Sequence, residues 1–336
     1  MNLNKKILIT GAGGFIGGHL TRKLAEMGYD VVALIRYNSR NNWGWLENID
    51  KNLFAERIKI FQGDIRDPFC VREAMIDCNY VIHLAALISI PYSYHSPASY
   101  VETNVNGTLN VLQAARELEV ERLVHTSTSE VYGTAQIIPI DEMHPLQAQS
   151  PYSATKISAD QLAYSYFSSF NLPVVTVRPF NTYGPHQSLR AIIPTIITQI
   201  ASNSNNIKLG TLTTTRDFNY IDDTVSGFIA ALESSDCAGE VINIGSSYEI
   251  SIHDLYLLIC NLMEKNPVIE KDISRLRPNL SEVERLCADN SKAKKMLNWS
   301  PKHNGLLGLK IGLNDTINWY LEKNNVKDFK INLYNT

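Results

Sequence analysis

Short apolar runs recur through the first half of the chain at residues 7–10, 31–35, 57–60, 80–86, 123–126 and 172–179. They are continuous rather than alternating, which is the pattern of strands buried on both faces of a parallel sheet. Stretches with helical spacing lie between them, from 19 to about 27, from 98 to 119 and from 152 to 169. Residues 38–45, polar and aromatic, and residues 88–97, rich in Ser, Tyr and Pro, read as loops. Beyond Phe180 the elements shorten: helices are expected at 192–202, near 222, at 252–263, near 292–297 and at 306–321, with a strand at 241–244. The alternation predicts an α/β protein. A Rossmann-type doubly wound parallel sheet takes residues 1–180, and a smaller C-terminal α/β lobe, interleaved with it, takes residues 181–336.

Composition narrows the partners. With 44% hydrophobic residues the chain can bury a sizeable core, and a net charge of −3, without basic clusters, gives no electrostatic support for a nucleic-acid or membrane-surface role. The five cysteines (Cys70, Cys78, Cys237, Cys260, Cys287) show no C-x-x-C pairing and are odd in number, so they read as reduced core residues. No metal-ligand set is expected. The apolar run that follows residues 1–6 is too short for a signal-peptide core, so a cytoplasmic protein with a small-molecule substrate is expected.

The first strand runs into Gly11-Ala12-Gly13-Gly14-Phe15-Ile16-Gly17 and then a helix, the context in which a glycine loop holds a dinucleotide. Gly11 permits the tight turn, Gly14 admits a pyrophosphate to the backbone, Gly17 lets helix pack on strand, and the helix start at Phe15 and Ile16 faces the phosphates. The second strand ends in Arg36, with Ser39 and Arg40 nearby, where an acidic residue would select NAD; a basic one favours the 2′-phosphate of NADP. Asp64 is a candidate acceptor for the adenine amino group, with Ile65 against the ring. Leu84, Ala85 and Ala86 end the fourth strand in small residues that let a cofactor pass, and His83 before them reads as a hydrogen-bonded core histidine. The loop with Ser89 is a candidate substrate contact.

The chemistry concentrates in two stretches. Thr128-Ser129-Glu130 follows the fifth strand, at the strand end where α/β sheets bind ligands. Tyr152 and Lys156 lie four apart on one helix face, and a nearby ammonium favours a phenolate, which can accept a hydroxyl proton.

The glycine loop, Asp64-Ile65, residues 83–86, Thr128-Ser129-Glu130, Tyr152/Lys156 and residues 178–181 occur in an order that resembles the extended short-chain dehydrogenase/reductase family over nearly the whole chain. Thr-x-Glu resembles the nucleotide-sugar 4,6-dehydratases within it. The tail, with Arg277-Pro278, Glu282-Val283, Asp289 and Trp299, is similar to GDP-mannose 4,6-dehydratase, and residues 37–45 with 129–135 resemble the NAD-dependent dehydratases of bacterial legionaminic acid synthesis, which act on GDP-N-acetylglucosamine. The resemblance implies C4 oxidation through Tyr152, Lys156 and Thr128, C5 deprotonation by Glu130 with loss of water from C6, and reduction at C6. It further implies a recycled, tightly bound NAD or NADP, a homodimer through helices 98–119 and 152–169, and nucleotide-sugar contacts from Asn181, Arg216, Arg277 and Glu282. Ser129 stands where the dTDP-glucose enzymes carry an aspartate, so Glu130 or a water is expected to act as the acid as well. Three readings stay open beside it: a UDP-glucuronate decarboxylase, a 4-epimerase and a non-catalytic dinucleotide-binding regulator.

Overall fold

The computed structural model describes residues 5–202 and 205–322, together with residue 325. Residues 1–4, which precede the apolar run judged too short for a signal peptide, and the end of the C-terminal lobe lie outside the described residues.

The first half builds β1 (Lys6–Thr10), α1 (Phe15–Glu26), β2 (Asp30–Ile35), α2 (Lys51–Arg57), β3 (Ile58–Gln62), α3 (Pro68–Met75), β4 (Tyr80–His83), α4 (Ile90–His95), α5 (Pro97–Tyr100), α6 (Gly107–Glu117), β5 (Arg122–Thr126), α7 (Pro151–Phe170) and β6 (Val174–Pro179). The second half adds β7 (Asn181–Tyr183), α8 (Ile192–Ala201), β8 (Asn206–Leu209), β9 (Thr215–Tyr220), α9 (Ile221–Glu233), β10 (Val241–Ile244), β11 (Glu249–Ser251), α10 (Ile252–Leu262), β12 (Val268–Lys271), α11 (Ser291–Leu297) and α12 (Gly305–Leu321).

Seven strands pair in parallel in the order β3-β2-β1-β4-β5-β6-β10, the doubly wound α/β arrangement expected. Their side chains are enclosed on both faces: Ile7, Leu8 and Ile9 of β1 are wholly buried, and Ile7 and Ile9 enter one core cluster while Leu8 enters another. That two-sided burial is why the runs are continuous rather than alternating. β10 comes from the second half of the chain and completes one edge of this sheet. The sheet order reverses beside β1, so the connections leaving the carboxyl ends of β1 and β4 run to opposite sides and open the crevice in which such folds bind ligands. A three-stranded sheet, β11-β9-β7, and the pair β12-β8 form the smaller lobe.

Three local expectations are revised. Residues 90–95 form α4 rather than a loop: Pro91 sits in the first turn, where its missing N–H costs nothing. The expected single helix over 98–119 is helical throughout 97–117 but widens to a π-turn over Val101–Asn106 before α6. The fourth strand stops at His83, so Leu84, Ala85 and Ala86 already belong to the loop at the crevice.

Candidate active site

The catalytic candidates arrive on two separate elements. After β5 the chain makes a 3-10 turn, Ser129–Tyr132, capped by Thr128, whose hydroxyl oxygen accepts the Glu130 N–H at 3.3 Å. This turn carries Ser129 and Glu130 inward, to 2% and 9% exposure. α7 begins with a capping box in which Ser150 and Ser153 bond each other's backbone N–H, with Pro151 in its first turn. That start sets Tyr152 and, one turn on, Lys156 against the end of β5, and both are buried. The Tyr152 phenol is hydrogen-bonded to Thr128 and lies within the field of Glu130. Tyr100 closes the pocket edge-on to the Tyr152 ring, with centroids 6.3 Å apart.

Burial dominates the electrostatics of this pair. Burial raises the Tyr152 phenol well above its ordinary range; the Thr128 hydrogen bond opposes this, and the Glu130 charge adds to it. Lys156 Nζ donates to the Thr126 carbonyl at 2.6 Å. Burial also pulls the Lys156 ammonium down to about 8, against the pull of Asp160.

Asp160, one turn beyond Lys156, was not singled out as a site residue by the sequence. It is 3% exposed and accepts from Ser127 Oγ at 2.7 Å, His125 Nε2 at 3.2 Å, and Arg178 Nε and Nη2 at 3.1 and 2.9 Å. Arg178 Nη1 donates in turn to the Tyr132 hydroxyl at 3.0 Å, and Tyr132 donates to Asn243 Oδ1 at 2.7 Å, reaching β10. The signal in the sequence was the i, i+4 spacing from Lys156.

His83 proves to be a core histidine, held between Thr10 Oγ1 at 2.8 Å and Thr108 Oγ1 at 3.0 Å. Thr10 Oγ1 accepts the Leu84 and Ala85 N–H groups, which leaves its own proton for His83 Nδ1. The Nε2 proton then goes to Thr108, whose hydroxyl donates to the Asn104 carbonyl at 2.6 Å. Asn104, in the π-turn, grips both the N–H and C=O of Leu87 and donates to Thr155 at 3.1 Å, tying the loop of Leu84, Ala85 and Ala86 to α7.

The residues around the glycine loop fit a dinucleotide. Gly11 has φ +71°, and a Cβ there would stand 2.9 Å from the Ala85 nitrogen; one on Gly17 would stand 2.2 Å from the Gly11 carbonyl. Gly14 is the N-cap of α1 with no side-chain cap and no acidic residue in the first turn, so the Phe15 and Ile16 end of the helix stays open to an anion. Trp45 N–H donates to the Gly13 carbonyl at 3.1 Å, laying the loop after β2 against the cradle. Asp64 is engaged by the neighbouring Arg66, through Nη2 at 2.6 Å, and this pairing holds its carboxyl below the usual range. Ile65 is buried beneath α6, where a Cβ on Gly107 would stand 2.6 Å from its Cδ1, so its side chain serves helix packing. Arg36 is exposed, on the same surface as Asp64 and within its field.

A cleft of about 410 Å³ gathers the remaining candidates. Asn181, Arg216, Arg277 and Glu282 all line it, together with Tyr94, Gln187, Arg190 and Arg275, which the sequence did not single out. Arg216 is 6% exposed, lies 3.5 Å from Glu282, and has Glu130 within its field, so it joins the cleft to the catalytic pocket. The tail holding Arg277 and Glu282 is pinned back on the catalytic loop: Gln149 Nε2 donates to the Leu280 carbonyl at 3.0 Å, and Ala135 N–H to the Arg285 carbonyl at 3.2 Å. Ser89 stands just before α4, its carbonyl accepting from Tyr100 and Ser93; it does not line the cleft. A larger hollow of about 690 Å³ lies over β11, α10 and α12 and contains none of the candidate residues. The polar convergence, not the volume, marks the site.

Comparison with known proteins agrees with this geometry. The family model described as GDP-mannose 4,6 dehydratase matches residues 8–309. The dTDP-D-glucose 4,6-dehydratase of Bos taurus is 31% identical over 325 residues, 95% of this chain and 89% of the relative. UDP-glucuronic acid decarboxylase 1 of Xenopus tropicalis is 30% identical over 323 residues, 94% of this chain and 72% of the relative. A dTDP-glucose 4,6-dehydratase of Streptomyces venezuelae, crystallised with NAD bound, superposes with a TM-score of 0.86 at 28% identity, covering 97% of this chain and 99% of that one.

Proposed function

The chain belongs to the GDP-mannose 4,6-dehydratase family, and from that premise we propose that it is a nucleotide-sugar 4,6-dehydratase using NAD. The observation that carries the reading is the convergence of a buried phenol, Tyr152, with a buried carboxylate, Glu130, across the Thr128 hydroxyl. Oxidation and return reduction need only the phenol; the carboxylate is what an elimination adds.

Tyr152 takes the proton of the C4 hydroxyl while Thr128 donates a hydrogen bond to the same oxygen. A nicotinamide cofactor held at the glycine loop by Gly11, Gly14, Phe15, Ile16 and Gly17 would supply the acceptor for the C4 hydride and the donor of hydride to C6. A C4 ketone makes the C5 proton acidic, and Glu130 removes it as the C6 hydroxyl leaves as water. Ser129 has no acidic proton to give, so the proton that Glu130 takes from C5 is the one it delivers to the C6 oxygen. C5 takes a proton from solvent as hydride enters C6, so the product is a 4-keto-6-deoxy sugar with no net redox change. Asn181, Arg216 and Arg277 hold the diphosphate, and Glu282 orients the two arginines.

NAD is favoured over NADP because the Streptomyces relative was crystallised with NAD. As to the substrate, GDP-N-acetylglucosamine, in legionaminic acid or related surface-sugar synthesis, rests on the resemblance of residues 37–45 and 129–135 and on the tail that lines the cleft. A carboxylate substrate finds nothing at Ser93, whose hydroxyl is held by the Ile90 carbonyl at 2.7 Å. Exposed Leu109, Tyr164 and Phe170 on α6 and α7 support pairing of two copies along these helices. No helix among the described residues is long and apolar enough to cross a membrane, which suits work on a water-soluble sugar nucleotide in the cytoplasm.

Purified protein, without added cofactor, should be offered GDP-N-acetylglucosamine, GDP-mannose, UDP-N-acetylglucosamine and UDP-glucuronate separately in heavy water and analysed by mass spectrometry. Loss of one water with one deuterium gained at C5 from a GDP-sugar is expected. Loss of carbon dioxide from UDP-glucuronate would replace the reading with a decarboxylase, and no reaction with any donor would overturn it.

A further inference from the structure

The two halves of the catalytic set come from different elements, and nothing in the reaction itself holds them in register. Thr128 and Glu130 follow β5; Tyr152 and Lys156 ride on α7. Between them lie three consecutive residues at the end of β5, all tied to one face of α7. The Thr126 carbonyl accepts from Lys156 Nζ, and the flanking His125 and Ser127 side chains both donate to Asp160. Arg178 of β6 completes the carboxylate with two further bonds.

We propose that Asp160 is a positioning residue of this reaction: through Ser127, His125 and Arg178 it staples α7 to the end of β5, and so sets Tyr152 and Lys156 against Thr128 and Glu130. The inference rests on the dehydratase reading for its kinetic consequences, while the staple itself is independent of substrate. A carboxylate buried this deeply survives only when paired and hydrogen-bonded. Asp160 is buried and accepts from two neutral donors and from two N–H groups of one guanidinium, which share its Oδ2. A purely structural anchor could sit anywhere along the twenty residues of α7; this one is a single turn from Lys156, and its partners Ser127 and His125 lie just before Thr128 in the chain.

The staple also sets a charge. Lys156 is faced by Asp160 on its own helix, by His125 on β5 and by His83 on β4, with Arg178 of β6 behind Asp160. Both histidines are held neutral by burial, so Asp160 is the negative charge that keeps the ammonium protonated. Removing that charge shifts the loss of the Lys156 proton to lower pH.

Asp160→Asn and Ser127→Ala test this, with kcat and KM measured separately across pH, beside thermal melts. Asp160→Asn should lower kcat roughly a hundredfold, the scale of a misplaced reacting group, with KM little changed, and move the basic limb of the kcat profile to lower pH by about one unit. Ser127→Ala removes one donor without stranding a charge, and should lower kcat several-fold at unchanged KM even if Asp160→Asn fails to fold. The proposal is overturned if the folded variants keep the parental kcat and basic limb, or if they lose melting temperature alone. Should the unaltered protein turn over no nucleotide sugar, the dehydratase reading fails and the staple is judged by titration. The Lys156 resonance in lysine-labelled protein, identified by its loss in Lys156→Arg, is then expected to titrate lower in Asp160→Asn than in the parent, and an unmoved titration overturns the staple as well.

Discussion

The two ends of the site are built on opposite plans. Around Asp160 the protein answers its own charges: four donor contacts converge on one carboxylate, and the Lys156 ammonium is engaged by a backbone carbonyl. In the cleft, Arg277 Nη1 is a buried donor without a hydrogen-bond partner, and the arginines outnumber the one carboxylate, Glu282, that lines it. The first end is preorganised for chemistry that repeats unchanged on any sugar; the second is left to be completed by an anion. Rate should therefore live at one end and affinity at the other.

The largest effect should come from Tyr152→Phe, which deletes the phenolic oxygen at little cost in volume. Loss of the base should lower kcat by about 10³, within the range typical of a positioned general base, while the melting temperature and KM stay near the parent's in steady-state assays. Glu130→Gln should cost about 10² or more in dehydration. It separates the two half-reactions, because C5 exchange with heavy water, read by mass spectrometry, should vanish while cofactor reduction by the substrate, read by absorbance, persists.

The pH response sharpens the contrast further. Lys156 loses its proton near pH 8 in the folded protein and near 10.5 when unfolded. Above about pH 8, kcat should fall roughly tenfold per unit as the ammonium is lost. Stability moves the other way: between those values the unfolded chain binds the extra proton, so this group's unfavourable contribution shrinks as pH rises and is constant below pH 8. Denaturant melts across pH 7–10 beside the kinetics should show the two trends diverge. The smallest effect belongs to the cleft, where Arg277→Ala should raise KM about tenfold, the scale of one lost charge-assisted hydrogen bond, with kcat nearly unchanged.

Much of this was legible in the sequence because it is local. The glycine loop sits between β1 and α1, and Tyr152 and Lys156 share a helix face, so spacing alone reveals both. α4 escaped because Ser, Tyr and Pro read as loop when Pro91 was in fact a helix starter. The Asp160 staple escaped because its partners lie 18 to 35 residues away on β5 and β6 and meet only when the sheet forms. Arg190 and Arg275 share the cleft with Asn181 through the packing of α8, β8 and the tail, which no periodicity encodes.

In the proposed reaction hydride leaves C4 and comes back to C6 of the same sugar. The direct test is a single turnover of GDP-N-acetylglucosamine carrying deuterium at C4, in ordinary water, with the product's C6 methyl group read by mass spectrometry and NMR. The deuterium should be retained and found at C6, in unlabelled solvent and with no cofactor added. Deuterium lost to solvent, returned to C4, or left on released cofactor would contradict it.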